Sequence, residues 1–278
     1  THYDAVDCGS GRTVSWLHIV VLAIVQGITE FLPVSSSGHL VLLPSFFGWG
    51  DQGLAFDVAV HFGSLAAVCI YFRTDIIALL GGTGEILRGK LDSYMSRLAL
   101  GLAIGTVPAA IAGLALAGWI EENLRSPVVI VVTLSFYGVL MVVADKFGGS
   151  ERRIDDVRIR DAFMIGCAQA LALVPGTSRS GVTITAGRLL GFKRHDAARY
   201  SFLLSVPVIL LASLYKLLEL LTGTEPVPWG ELGSAALISA IVAYLTIGFF
   251  MAVVGRIGLL PFAVYRLLLA ALILYVLV

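Results

Sequence analysis

The chain has 278 residues, of which 58% are hydrophobic and 14% charged, against roughly 25% charged for an ordinary soluble domain. Nineteen basic residues balance nineteen acidic ones, so the net charge is zero and nucleic-acid binding has no electrostatic support. A mean hydropathy of +0.91 marks an integral membrane protein and excludes the soluble classes. Cys8, Cys69 and Cys167 lack metal-type spacing and imply no disulfide framework.

In chain order, residues 1–13 are polar, carry no cleavage pattern and read as a disordered tail; 14–278 read as one membrane domain. Segments 16–32 and 36–48 flank Pro33 and a serine run, and are too broken for a simple span. Apolar stretches of about 20 residues cross a bilayer as helices, and 54–72, 95–118 and 126–145 qualify. Ser150 to Asp161 reads as a solvated charged loop. Segments 161–174 and 178–191 flank Pro175 and its glycines, and three more spans follow at 197–219, 233–254 and 260–278. Broken helices at membrane depth persist only where they are buried in protein or line a wet cavity. The expected fold is therefore all-α and polytopic, with six transmembrane helices and two re-entrant helical hairpins.

Matches recur at a fixed offset of 143 residues: Gln26 with Gln169, Ser35 with Ser178, Ser37 with Ser180, Gly38 with Gly181, Gly48 with Gly191. Each half, about 14–145 and 161–278, then holds one hairpin and three spans, and an odd number of spans inverts the second half. Inverted repeats place their site near the midplane where broken helices meet. On this topology 14 of the Lys and Arg residues fall on one face and three, Arg12, Arg125 and Lys216, on the other. The positive-inside rule then puts both termini outside.

Ionisable groups at membrane depth are costly unless they serve a cavity, a relay or a substrate. Gln26 and Glu30, at i and i+4, share a helix face. They can hold a hard divalent cation with water and phosphate oxygens, or form a hydrogen-bonded packing pair, and the carboxylate can orient a histidine. Ser35, Ser36 and Ser37 follow Pro33 at a helix start, a capping site that also suits anions. His39 shares the face of Ser36, the pattern of a hydroxyl activated by an imidazole. The second turn supplies Gly176, Thr177, Ser178, Arg179 and Ser180: close backbone approach, hydroxyl donors and a guanidinium fork for phosphate. Its simpler reading is a helix cap with Arg179 pairing Glu30. Asp57 and His61, also i and i+4, support the site from behind or form a structural hydrogen bond. Arg266 snorkels or pairs with a carbonyl.

Gln-x-x-x-Glu, Pro-Val-Ser-Ser-Ser-Gly-His and the later Pro-Gly-x-Ser-Arg-Ser-Gly resemble the undecaprenyl-diphosphate phosphatase family of bacterial inner membranes, known for bacitracin resistance. The resemblance runs from Trp16 to Val278. It implies a hydrolase that removes the terminal phosphate of a C55 polyprenyl diphosphate, giving the monophosphate that carries cell-wall precursors. It implies Glu30, Ser36, His39 and Arg179 as catalytic residues, Gln26 as a permitted variant of the family's first acid, and Mg or Ca as the divalent cation. It also implies an inverted repeat with two re-entrant hairpins and a site opening to the periplasm. The partners expected are the polyprenyl diphosphate and membrane lipids, and a homodimer is compatible with this reading. Either Ser36 attacks phosphorus with His39 as base, or His39 activates water.

The competing reading is a transporter that flips a polyprenyl phosphate or carries a small anion, since inverted repeats with broken helices also build transporters. A transporter needs the anion clamp but no nucleophile or base. A structural or channel protein ranks last, because it leaves Glu30, His39 and Arg179 without a purpose.

Overall fold

The computed structural model describes residues 5–7, 13–49, 53–222 and 228–277. Its helices run, in chain order, α1 (Trp16–Thr29), α2 (Ser36–Phe47), α3 (Gly53–Tyr71), α4 (Arg73–Leu87), α5 (Tyr94–Asn123), α6 (Pro127–Phe147), α7 (Ile159–Ala170), α8 (Arg179–Leu189), α9 (Arg194–Thr222), α10 (Trp229–Ile257) and α11 (Leu260–Leu277). Six of them, α3, α5, α6, α9, α10 and α11, are long and apolar enough to cross a membrane, and they coincide with the six expected spans. The protein is an all-α polytopic membrane protein. Among the described residues the only strands are Ala5–Asp7 and Thr13–Ser15, which pair antiparallel with Val6 opposite Val14, where a structureless tail is expected. Cys8, Arg12 and the rest of that tail lie outside the described residues, as does Val278.

Local chemistry sets the helix starts. Ser93 caps α5 by accepting the Ser96 N–H at 3.0 Å. Ser126 caps α6 with Pro127 in the first turn, the position where a missing N–H costs nothing. The turns at Pro33 and Pro175 leave four short helices, α1, α2, α7 and α8, of 14, 12, 12 and 11 residues. Each falls short of the roughly 20 residues a bilayer requires.

Helix α4 was not expected. Its fifteen residues are too few to span, and it buries Leu79 and Gly82 while Ile77 and Leu80 stay exposed. A Cβ on Gly82 would lie 2.6 Å from the Met95 carbonyl group, so α4 packs closely against α5. The run from Ser150 to Asp161 is likewise more than a solvated loop. Ile154 is buried. Arg152 donates to Asp161 and to the Leu190 carbonyl, with its guanidinium 4.4 Å from the Phe192 ring. An arginine stem over an aromatic face gains packing as well as charge pairing, which fixes this segment.

Packing between spans relies on small residues, as expected where lipid removes the usual hydrophobic drive. Helix α1 packs on α10, while α7 packs on α5. At the α3–α10 contact, Ser64 Oγ and Ser239 Oγ lie 3.1 Å apart, and a Cβ on Gly63 would fall 2.1 Å from the Ala236 carbonyl oxygen. Gly63→Ala should therefore force the two backbones apart at a cost of about 1–3 kcal/mol. A drop in the thermal midpoint of the purified protein, with Gly233→Ala (open space around its Cβ) unchanged, is the expected result.

Candidate active site

Each broken pair turns on a serine in the left-handed region, where a side chain is strained. Ser35 has φ 75° and Ser178 has φ 69°, and the glycines closing the following helices, Gly48 at 67° and Gly191 at 87°, share that region. Both pairs are 143 residues apart. Such strain persists only where its surroundings hold it, typically at functional sites. The holding is the same twice over. Ser35 Oγ accepts the Gly38 N–H at 3.4 Å and lies 3.1 Å from Ser37 Oγ. Ser178 Oγ accepts the Gly181 N–H at 3.2 Å and lies 3.3 Å from Ser180 Oγ.

The two turns are then bonded to each other. Ser37 Oγ accepts the Gly176 N–H at 3.0 Å, and Ser180 Oγ donates to the Leu32 carbonyl at 3.0 Å. Gly176 has φ +86°, and a Cβ there would meet Thr133 Oγ1 at 2.1 Å; Thr133 Oγ1 in turn donates to the Pro175 carbonyl at 2.7 Å. Only glycine allows this turn to sit against α6. Thr177 is fully buried in the same turn, and its hydroxyl has no partner among the described residues.

Beside the turns lies a cluster of charge. Arg179 Nη2 donates to Glu30 Oε1 at 3.3 Å, and Gln26 Nε2 donates to Glu30 Oε2 at 2.9 Å. His61 Nε2 is 3.4 Å from Gln26 Nε2 and 3.9 Å from Glu30 Oε2, while its Nδ1 lies 2.7 Å from the Asp57 carbonyl. A ring nitrogen at a carbonyl carries the proton, so in the neutral ring Nε2 is the acceptor. His61 therefore joins the site. The Asp57 carboxylate does not, pairing instead with Lys216 at 3.5 Å. Gln26 Oε1 and Arg179 Nε are buried without partners among the described residues. Buried polar atoms left unpaired are rare and ask for a ligand or a function.

The expected Glu30–His39–Ser36 relay is not what these side chains form. His39 Nδ1 is 2.7 Å from the Ser35 carbonyl, and its Nε2 is 2.6 Å from the Tyr265 hydroxyl, with the rings stacked at 5.6 Å. The imidazole is thus oriented by a backbone carbonyl and a phenol. Glu30 is instead bonded to Arg179 and Gln26. Ser36 is half-buried and opens α2, next in sequence to Ser35 and Ser37, whose hydroxyls are bonded to each other.

Tyr265 escaped the sequence reading, and of the two readings of Arg266, snorkelling or pairing with a carbonyl, the second holds. Arg266 is fully buried and donates to the carbonyls of Leu134 at 3.2 Å, Thr133 at 3.4 Å and Gly176 at 3.0 Å. The available signal was an ionisable pair inside an apolar span.

A hard cation fits part of this arrangement. Gln26 Oε1 is unpaired, Glu30 adds carboxylate oxygens, and among the described residues no cluster of three or more His, Cys, Asp or Glu is gathered. That donor set suits an ion such as Mg²⁺, which keeps several waters and takes one or two carboxylates plus substrate phosphates.

Comparison with known proteins agrees with the geometry. The family model described as bacitracin resistance protein BacA matches residues 19–272. The chain is 54% identical to the undecaprenyl-diphosphatase of Hahella chejuensis over 258 residues, covering 92% of this chain and 96% of that protein. It is 52% identical to that of Saccharophagus degradans, covering 92% and 96%, and 48% identical to that of Alcanivorax borkumensis, covering 94% and 98%. A match of this identity over nearly the whole of each chain places the protein in the bacitracin resistance protein BacA family.

Proposed function

We propose that this chain is a membrane phosphatase that removes the terminal phosphate of undecaprenyl diphosphate, returning undecaprenyl phosphate to the cell-wall lipid-carrier cycle. The observation that carries the reading is the Arg179–Glu30 contact beside two mutually bonded serine turns. A guanidinium, buried hydroxyls and helix-start N–H groups together suit a diphosphate. Relatives of about 50% identity bear the matching name.

In this mechanism Arg179 turns its fork onto the phosphate oxygens, and the turn hydroxyls and N–H groups hold the remainder. Such pre-set donors stabilise charge as it develops. Attack on the terminal phosphorus forms a new P–O bond and breaks the anhydride P–O bond, and undecaprenyl phosphate leaves; attack by water gives phosphate directly, whereas attack by Ser36 gives a phosphoserine that a water then hydrolyses to free the serine and phosphate. The nucleophile's proton goes to His39. Because the phenol stands at its acceptor nitrogen, Tyr265 is the group through which His39 exchanges that proton. Gln26 and Glu30 would hold the divalent cation, which neutralises charge on the diphosphate when bound.

The fold reading behind this is two inverted repeats with re-entrant hairpins. It is supported by the serine turns recurring at 143 residues and by the exchange in which α1 packs on α10 while α7 packs on α5. With the basic face inward in the inner membrane, both termini and the site opening face the periplasm.

Two measurements test the proposal. Purified protein should release phosphate from a long-chain prenyl diphosphate, and a chelator should stop it; no release under any metal condition would overturn the assignment. Tyr265→Phe should lower kcat about tenfold with little change in KM, a fraction of the roughly 10²–10⁴ carried by acid–base groups. An unchanged kcat would remove Tyr265 from the proton route.

A further inference from the structure

A cavity of about 450 Å³ lies away from the serine turns, at the other end of α8. Its walls include Lys146 from the end of α6, Arg188 from the end of α8, and Lys193, Arg194 and His195 at the start of α9. Asp145 is the one carboxylate in the lining, so four cationic side chains face a single acid. That acid already accepts three hydrogen bonds. Its Oδ1 accepts from Arg188 Nε at 3.2 Å and Arg194 Nε at 2.7 Å, and its Oδ2 accepts the Leu259 N–H at 3.1 Å.

Arg188 is buried and further fixed by the carbonyls of Gly149, Phe192 and Asp145. It frames the cavity. Lys146, Lys193 and His195 have no carboxylate partner within ion-pair distance among the described residues, and the first turn of α9 adds N–H groups beside them. A concave, net-cationic site of this size accommodates a phosphate group with its substituent. It also lies where α6 and α8 end and α9 begins, and the exposed Phe147 and Ile257 stand one and two residues from its lining residues Lys146 and Gly255. Basic pockets between transmembrane helices on the basic face are where anionic headgroups bind.

We propose that this cavity is a second phosphate-binding site, separate from the serine turns, for the phosphate of an anionic phospholipid headgroup or for free phosphate. Along α8 the two sites are about 13.5 Å apart, at 1.5 Å per residue over the nine residues from Arg179 to Arg188. The ligand's phosphate lies against Lys146 and Lys193, and its lipid chains, where present, run past Phe147 and Ile257.

The test uses the full chain purified in neutral detergent and native mass spectrometry, with short-chain phosphatidylglycerol as probe and phosphatidylcholine as control. Wild type and Arg179→Ala should bind one phosphatidylglycerol equally. Lys146→Ala combined with Lys193→Ala should weaken binding about tenfold or more, while phosphate release from prenyl diphosphate persists. Displacement by inorganic phosphate at matching concentrations would make free phosphate the ligand; resistance to it would assign the lipid headgroup. Binding of phosphatidylglycerol that the double variant leaves unchanged, that Arg179→Ala abolishes, or that phosphatidylcholine equals, would overturn the proposal.

Discussion

Arg179→Ala should reduce phosphate release from a long-chain prenyl diphosphate by at least about 10²–10³-fold, the usual effect of removing a pre-set electrostatic donor. The side chain is 13% exposed, its Nη2 is bonded to Glu30, and its Nε is unpaired. One guanidinium thus neutralises the acid and still has a donor to offer. Removing it leaves the buried Glu30 carboxylate without its guanidinium, bonded by the Gln26 amide, and breaking a buried ion pair costs about 3–5 kcal/mol, so the thermal midpoint should fall as well. Arg179→Lys separates the two effects. An ammonium can still pair with Glu30 but cannot copy the fork, so stability should largely return while turnover does not. Turnover near wild type in either variant would remove Arg179 from the chemistry.

The second large effect is expected at Arg266. Arg266→Met keeps much of the side-chain volume but strips three carbonyls of a donor. The Gly176 carbonyl matters most, because Thr133 and Leu134 sit in a helix while Gly176 is in the turn itself. An orphaned buried polar group costs about 1–3 kcal/mol, against which the desolvation of the removed cation is regained. A lowered thermal midpoint and a rise in KM, as the second turn loosens, is the expected pair of results. Wild-type values for both would show that the turn is held without Arg266, by its bonds to Ser37, Thr133 and Leu32.

The six spans were legible because length and hydropathy alone decide whether a helix crosses a bilayer. The paired turns were legible because Pro33 and Pro175 interrupt apolar segments next to polar ones. Helix α4 was not, since a segment too short to span leaves a weaker signal than the spans around it. At the site, proximity of Glu30, Gln26 and Arg179 followed from matching the turns. The partner of His39 did not. Spacing within one segment identifies which residues share a face, but Tyr265 arrives from a helix 226 positions later, and its phenol reaches the imidazole where Glu30 had been expected. His61 was half legible: its i, i+4 relation to Asp57 is real, yet the bond is to the backbone carbonyl, and the ring faces Gln26.

The mutual bonding of the two turns has a consequence for biogenesis. Ser35 in the left-handed region carries strain of about 1–3 kcal/mol, and the contacts that tie its turn down, from Gly176, Arg179 and Ser180, come from the second half of the chain. While the ribosome is still making α7, the first turn has no partner, and its polar groups must stay hydrated or adopt another shape. The site is therefore completed late in synthesis, by one docking event between halves inserted at different times. Until then no fragment ending before Arg179 holds the arginine side of the cradle, so a nascent chain cannot act on the lipid carrier before the second half of the chain has begun to insert.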